Sequence, residues 1–284
     1  MGKHYVPQFY LKGFSVAGEP SSIWLYDKHT GRVALAAIDK VAQQVAFYPD
    51  EVEEWLTEEI EKPANAVLDK MRRRVTIAPD DKRHLCDYMA VMLTRVPKGR
   101  ERIKAHFPQA MENVFRRTEA QLARRMSERP DLAPQLERML LALKVWRAEY
   151  ERLVRQRAER HFARPPLWPQ PCSALNTMTW RILVCDGGST LITSDNPVFY
   201  FERWGFASRN SEVSFPISKD VALWAGWTKG RDMSYWQARK QDFMEFNCRT
   251  ASAAMRFLFG PVKENWVLRV AKKARPSLGR LTWE

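Results

Sequence analysis

Between Thr190 and Phe199 a short apolar stretch runs into Ser194, Asp195 and Asn196 and is stopped by Pro197. A strand that ends this way leaves a carboxylate, an amide and two hydroxyls at a sheet edge, where a cleft could use them. The same run, Ser-Asp-Asn-Pro, also makes an ordinary turn in which Asp and Asn bond their own backbone. The pattern supports both readings. Near the N-terminus, His4 offers an imidazole whose ordinary pKa lies close to neutrality, so it can give or take a proton. Asp195 could orient that imidazole or hold a divalent ion, and Arg95 could stabilise a phosphate. Arg95 sits at the edge of a helical apolar stripe beside Tyr88. An arginine so placed is more often paired with a carboxylate, because removing the partner of a buried guanidinium costs about 3 to 5 kcal/mol. On a 100-degree wheel Glu59 falls inside the apolar stripe of the preceding helix, whereas Glu54 and Glu61 share the opposite side, so either side can carry a buried carboxylate.

The elements that must position these groups can be read in order. Residues 4–14, broken at Pro7, are rich in aromatic and β-branched types and predict an extended segment. Ile23–Tyr26 and Arg32–Leu35 flank a glycine-closed loop and predict a β-hairpin. A helix starts at Asp50 and must kink or split near Lys62, because Pro63 cannot donate to the ladder. A second helix follows Asp80 and Asp81 and ends at Pro97. Arg100 to His161 reads as two long charged helices interrupted near Pro130 and Pro134, with Leu136, Met139, Leu140, Leu143, Trp146, Tyr150, Leu153 and Val154 as a seam on the second. The proline-rich run 164–171 is unsuited to helix or central strand. Beyond it the period changes to about 2. Arg181–Cys185 and Thr190–Thr193 predict a hairpin through 186–189, followed by strands at Val198–Glu202, Val213–Ile217 and Val221–Trp227. A last helix is predicted from Tyr235 to Phe259. The fold class is therefore α+β: an antiparallel sheet of four to six strands packed with helices. One domain is expected, its core built from 1–97 and 165–284, with residues 98–164 inserted as a long basic helical hairpin.

Composition narrows the partner. The chain of 284 residues carries 46 basic and 33 acidic side chains, a formal charge of +13. Lys98 to Arg164 holds 17 basic and 9 acidic residues, and Lys263 to Glu284 holds 6 and 2, so 12 of the 13 excess charges lie in these two segments. Such a surface can meet the phosphates of RNA or DNA, with Arg100, Arg102, Lys104, Arg116, Arg117, Arg124 and Arg125 as the candidate contacts. It can equally serve only to solubilise a helical hairpin. The hairpin could also mediate a homodimer. Cys86, Cys172, Cys185 and Cys248 are scattered without a Cys-x-x-Cys pair, and the five histidines are equally dispersed, so no dedicated metal site is predicted and no motif names a cofactor. No apolar run approaches the length needed to span a bilayer, and a cytoplasmic protein is expected.

The spaced motifs His4-Tyr-Val-Pro-Gln-Phe-Tyr-Leu, Ile60-Glu61, Leu93-Thr-Arg-Val-Pro97, Thr193-Ser-Asp-Asn-Pro-Val198, Phe215-Pro-Ile-Ser218 and Asn247 resemble, in order and over nearly the whole chain, the bacterial domain-of-unknown-function family 4238. Members often carry two adjacent histidines at the start, and here the first is Lys3. The resemblance implies that His4, Gln8, Glu61, Arg95, Asp195 and Asn196 act together, since packing alone would not require these polar types. Three functions remain open. One is an enzyme acting on nucleic acid, such as a nuclease-like toxin or phage-defence protein. The second is a regulatory or interaction module without catalysis. The third is a hydrolase or transferase of a small phosphorylated ligand.

Overall fold

The computed structural model describes residues 2–45, 50–161, 169–185, 187–279 and 281. The chain forms two compact units, Met1–Gly99 with Ala163–Glu284, and Arg100–Phe162.

The first unit opens with strand β1 (Gly2–His4), helix α1 (Gln8–Leu11) and a 3₁₀ turn over Lys12–Phe14. The predicted extended run from 4 to 14 is therefore replaced after His4 by helix. Pro7, read as a break, is the N-cap of α1, a place where its missing N–H costs nothing. Hairpin strands β2 (Ser22–Asp27) and β3 (Val33–Ala37) pair as expected, and β4 (Gln43–Val45) returns to pair with β1. Helix α2 (Asp50–Trp55) runs through a π turn (Leu56–Glu61) into α3 (Lys62–Arg72). Pro63 withholds the N–H that would continue the i→i−4 ladder, and the helix rewinds locally instead of breaking. Helix α4 (Pro79–Arg95) starts where Asp81 accepts from the Ala78 N–H at 2.9 Å.

Helix α5 (Pro97–Glu128) and helix α6 (Ala133–His161) make up the second unit, apart from the first residues of α5. Phe115 and Leu122 of α5 and Leu136 of α6 are buried, and Phe115 meets Tyr150 edge-on at 5.6 Å. Arg147 of α6 reaches Glu112 of α5 at 2.6 Å and Glu119 at 3.6 Å. The seam is narrower than predicted: Met139 is half exposed and Trp146 is 72% exposed, because a two-helix contact covers only one stripe of each helix. The side chains of Leu153 and Val154 lie outside the described residues.

Residues 162–168 of the proline-rich run lie outside the described residues, but Pro169-Gln170-Pro171 opens helix α7 (Pro169–Thr177). Here too proline occupies a first turn, where it is tolerated. The strands that follow are β5 (Thr179–Val184), β6 (Thr193–Ser194), β7 (Phe199–Tyr200), β8 (Glu212–Pro216), β9 (Val221–Gly226) and β10 (Ser234–Gln237), then helix α8 (Lys240–Ala253), β11 (Phe257–Gly260) and helix α9 (Asn265–Lys273). They form two sheets rather than one: β10-β5-β9-β8-β7 and β3-β2-β11-β6. The predicted hairpin from 181 to 193 does not form, since β5 pairs with β9 and with β10, the latter in parallel, while β6 pairs with β11; Asp186 in its loop lies outside the described residues. The predicted helix from Tyr235 to Phe259 becomes strand, helix and strand. Asp242 accepts from the Arg239 N–H at 2.8 Å and fixes the start of α8 after the strand. Strands β8 and β9 are buried at every position, as expected for strands covered on both faces. On α8, Arg249 is fully buried and bonds Glu212 at 2.6 Å, Glu245 at 2.9 Å and the Ser214 hydroxyl at 2.8 Å, which clamps the helix to β8.

Candidate functional site

The N-terminal motif and the 193–196 run meet, but through Tyr10 and Thr193. The fully buried Tyr10 hydroxyl lies 2.7 Å from Thr193 Oγ1 and donates to the Pro216 carbonyl at 2.8 Å. His4 engages other partners. Its backbone carbonyl accepts from Arg95 Nη2 at 2.6 Å, and Arg95 Nη1 binds Glu61 Oε1. Arg95, the last residue of α4, is almost wholly buried, and Glu61 ends the π turn. The paired reading of Arg95 thus describes its geometry: a guanidinium that ties the first strand to the α2–α3 helix.

Two further groups belong to this neighbourhood. Glu53 of α2 is half-buried, and it feels the charges of Arg95, Glu61 and Lys3. Its Oε2 has no hydrogen-bond partner among the described residues, and neither has the hydroxyl of the fully buried Tyr88 on α4. On a regular wheel Glu54, not Glu53, would share a side with Glu61. The π turn inserts one extra residue between them, which shifts the phase so that Glu53 falls on Glu61's side and Glu54 is exposed. A π turn is a frequent mark of a functional helix, and Pro63 was its only signal in the sequence. Beside the group, Lys3 pairs with the exposed Asp50 at 2.5 Å.

The electrostatics draw an acid and a base toward each other. Burial, reinforced by the positive charge of Arg95, pushes the His4 imidazole below its usual 6.5, against a hydrogen bond to the Asp39 main chain and the charges of Asp39 and Glu61. Burial raises the Glu53 carboxyl above its usual 4.5, against the opposing pull of Arg95. The two shifts run in opposite senses: the imidazole of His4 holds its proton less firmly than usual and the carboxyl of Glu53 more firmly. Burial also holds the Tyr88 phenol well above its usual range, so it stays a neutral hydroxyl.

Asp195 does not face a cleft. Its Oδ1 accepts from the Met255 N–H at 2.8 Å, and its Oδ2 from the N–H groups of Arg256 at 2.7 Å and Phe257 at 2.8 Å. Asn196 Nδ2 donates to the Ala253 carbonyl at 2.9 Å, and Lys28 Nζ donates to the carbonyls of Ala251 and Ala254. Together they fasten the C-terminal end of α8 to the start of β11. Burial raises the Asp195 pKa, opposed by these three N–H groups. The expectation that Asp195 and Asn196 stand free for His4 is thus corrected: the backbone that emerges from α8 has claimed their polar atoms, apart from Asn196 Oδ1, which is buried without a partner among the described residues. Gln8, the first residue of α1, is exposed and makes no hydrogen bond to the His4 group. Asn247 binds the Ile192 N–H at 2.9 Å and the Thr190 carbonyl at 2.8 Å, which holds the approach to β6 against α8.

Of the basic candidates, all seven lie on α5. Lys104, Arg116, Arg117, Arg124 and Arg125 are exposed, and Arg100 and Arg102 are half-buried. Among the described residues no three His, Cys, Asp or Glu side chains gather closely enough to hold a metal ion. No helix among them is long and apolar enough to cross a membrane.

Residues 3–264 match the family described as "Protein of unknown function (DUF4238)". The chain belongs to that family. No curated protein and no solved structure matches it.

Proposed function

We propose that the protein binds nucleic acid along the outward face of α5. The observation that carries this reading is the segregation of charge on that helix. Glu112 and Glu119 point into the contact with α6, where Arg147 holds them. Arg117 and Arg124 fall on the opposite side from the buried Phe115 and Leu122 and Arg116 on the flank, the three within roughly 100 degrees of one another on the helical wheel. Arg116, Arg117 and Arg125 make no ion pair with a described residue, so their charges are not spent inside the protein. A row of guanidinium groups on a rigid helix matches the spacing-tolerant, sequence-independent demands of a phosphate backbone.

The test is fluorescence anisotropy with single- and double-stranded RNA and DNA. Binding is expected at 50 mM salt and should weaken by about tenfold or more at 200 mM, because each neutralised phosphate releases condensed counterions. The Arg116→Gln, Arg117→Gln, Arg125→Gln triple variant should bind weakly and with a shallower salt slope. Absence of binding to every strand at 50 mM, or an unchanged slope in the variant, removes the proposal.

A second reading makes the protein a hydrolase of phosphodiesters, and the opposed shifts of His4 and Glu53 favour it. In this scheme the His4 imidazole would take a proton from the attacking water, and the Glu53 carboxyl, in its protonated form, would give one to the leaving oxygen. Arg95 and Glu61 position the two groups in this scheme. His4→Ala and Glu53→Gln should then each abolish strand cleavage while nucleic-acid binding persists. Full cleavage by either variant rejects the hydrolase.

A further inference from the structure

Helices α8 and α9 and the loop at 188–190 enclose a groove of about 920 Å³. We propose that this groove binds a small anionic amphiphile, a molecule with one alkyl or acyl chain and a phosphate or carboxylate head. Its volume falls within the roughly 300 to 1,000 Å³ range of ligand sites for small molecules.

The floor and walls are apolar. Phe243 and Met244 come from α8, Trp266 and Val270 from α9, and Ala274 from the residue that follows α9. Met244 is 61% exposed although it lies on a helix face with neighbours on both sides, which leaves a flexible thioether open to an incoming chain. The one amide on the lining, Asn247, already spends both ends on the Thr190 carbonyl and the Ile192 N–H. The hydroxyls of Ser189 and Thr190 lie on the loop, so the helix walls between them and the rim are apolar and suit a featureless chain.

The rim is cationic. Lys240 stands on one wall, and Arg269, Lys273 and Arg275 on the other. None of the four forms an ion pair among the described residues. Two carboxylates also line the groove. Glu245 is held below the surface by Arg249 at 2.9 Å and by the Ser277 N–H at 2.9 Å, while Glu264 is exposed at the N-cap of α9, so the cations outnumber the carboxylates four to two. Four cations around an apolar trough repel one another until an anion enters. A head group placed among them and a chain laid along the floor would satisfy both features at once.

The experiment uses the full chain and dodecyl phosphate below its micelle-forming concentration, followed by titration calorimetry. One molecule should bind per chain, at least about tenfold tighter than dodecyltrimethylammonium, which has the same chain and the opposite charge, or inorganic phosphate, which has no chain. The Arg269→Glu, Lys273→Glu double variant alters two exposed side chains and should lose about tenfold or more in affinity; Lys240→Glu, on the facing wall, should do the same. Met244→Asp should weaken binding through the floor. Absence of binding, equal binding of the cationic amphiphile, or charge reversals and Met244→Asp that leave affinity unchanged in folded protein would each overturn the assignment.

Discussion

Arg95 holds His4 by its backbone, not by its ring: the guanidinium binds the His4 carbonyl at 2.6 Å and the Glu61 carboxylate beside it. The imidazole is thereby left to its own partners while the strand that carries it is fixed to two helices. The tie through Arg95 and the titration of the ring can therefore be tested apart.

Arg95→Met should destabilise the protein by about 3 kcal/mol in urea denaturation, since it strips the half-buried Glu61 of its charge partner and β1 of its anchor. Glu61→Gln keeps an oxygen that accepts from the guanidinium but removes the charge opposite the more deeply buried Arg95, so it should also cost about 3 kcal/mol. Equal, small losses in both variants would show that the pair is not a tie at all.

His4 gives a pH signature. Its pKa in the folded chain lies below 6.5, so the unfolded chain binds the proton first. The stability this group contributes is present above about pH 6.5 and is lost as pH falls through the folded value. His4→Gln should flatten the acid side of the stability profile. In the wild type, the imidazole resonance followed by NMR should titrate below 6.5. A midpoint above 6.5 would contradict the burial on which the neutral base depends.

Asp195 behaves as a structural residue in this geometry. Asp195→Ala should cost about 3 kcal/mol, because three backbone N–H groups lose their acceptor at the end of α8. Binding and any activity should fall only in proportion to the folded fraction. A variant with wild-type melting temperature and no activity would return Asp195 to the catalytic group.

The sequence disclosed the hairpin β2–β3, the helix start at Asp50, the second helix to within three residues of its start at Pro79, and the long helices α5 and α6, since each carries a local signal: turn residues, a cap, or a period. It misread what depends on distant partners. Pro7, Pro169 and Pro171 look like breakers until the chain places them in first turns, where the missing N–H is no loss. Residues 235–259 keep an apolar content fit for helix, but Asp242 begins the helix late and Asp195, some sixty residues earlier, ends it early. The site shows the same division. Arg95 with a carboxylate was legible from the cost of burying a lone guanidinium. Glu53 was hidden because a wheel of constant pitch cannot represent a π turn, and Asp195 was misplaced because a strand end does not reveal which backbone will come to meet it.

The corner between α4 and α5 supplies the last prediction. Helix α4 ends at Arg95 and α5 begins at Pro97, a connection of one residue, with Val96 extended (φ −77°, ψ 155°) as a residue before proline prefers. So short a connection leaves Gly99 against the end of α4: a Cβ at this position would lie 2.2 Å from the Leu93 carbonyl oxygen and 3.0 Å from the Thr94 Cα. Both neighbours are backbone and cannot swing aside. Gly99→Ala should therefore force the end of α4 to move, at a cost of about 2 to 4 kcal/mol. Because Arg95 lies between the two contacts and the corner, that movement should also loosen its hold on Glu61 and His4. Calorimetry should record a lowered melting temperature, and the His4 imidazole should titrate closer to 6.5 as its burial relaxes. A Gly99→Ala protein with unchanged melting temperature and unchanged His4 titration would show that the corner is looser than its contacts require.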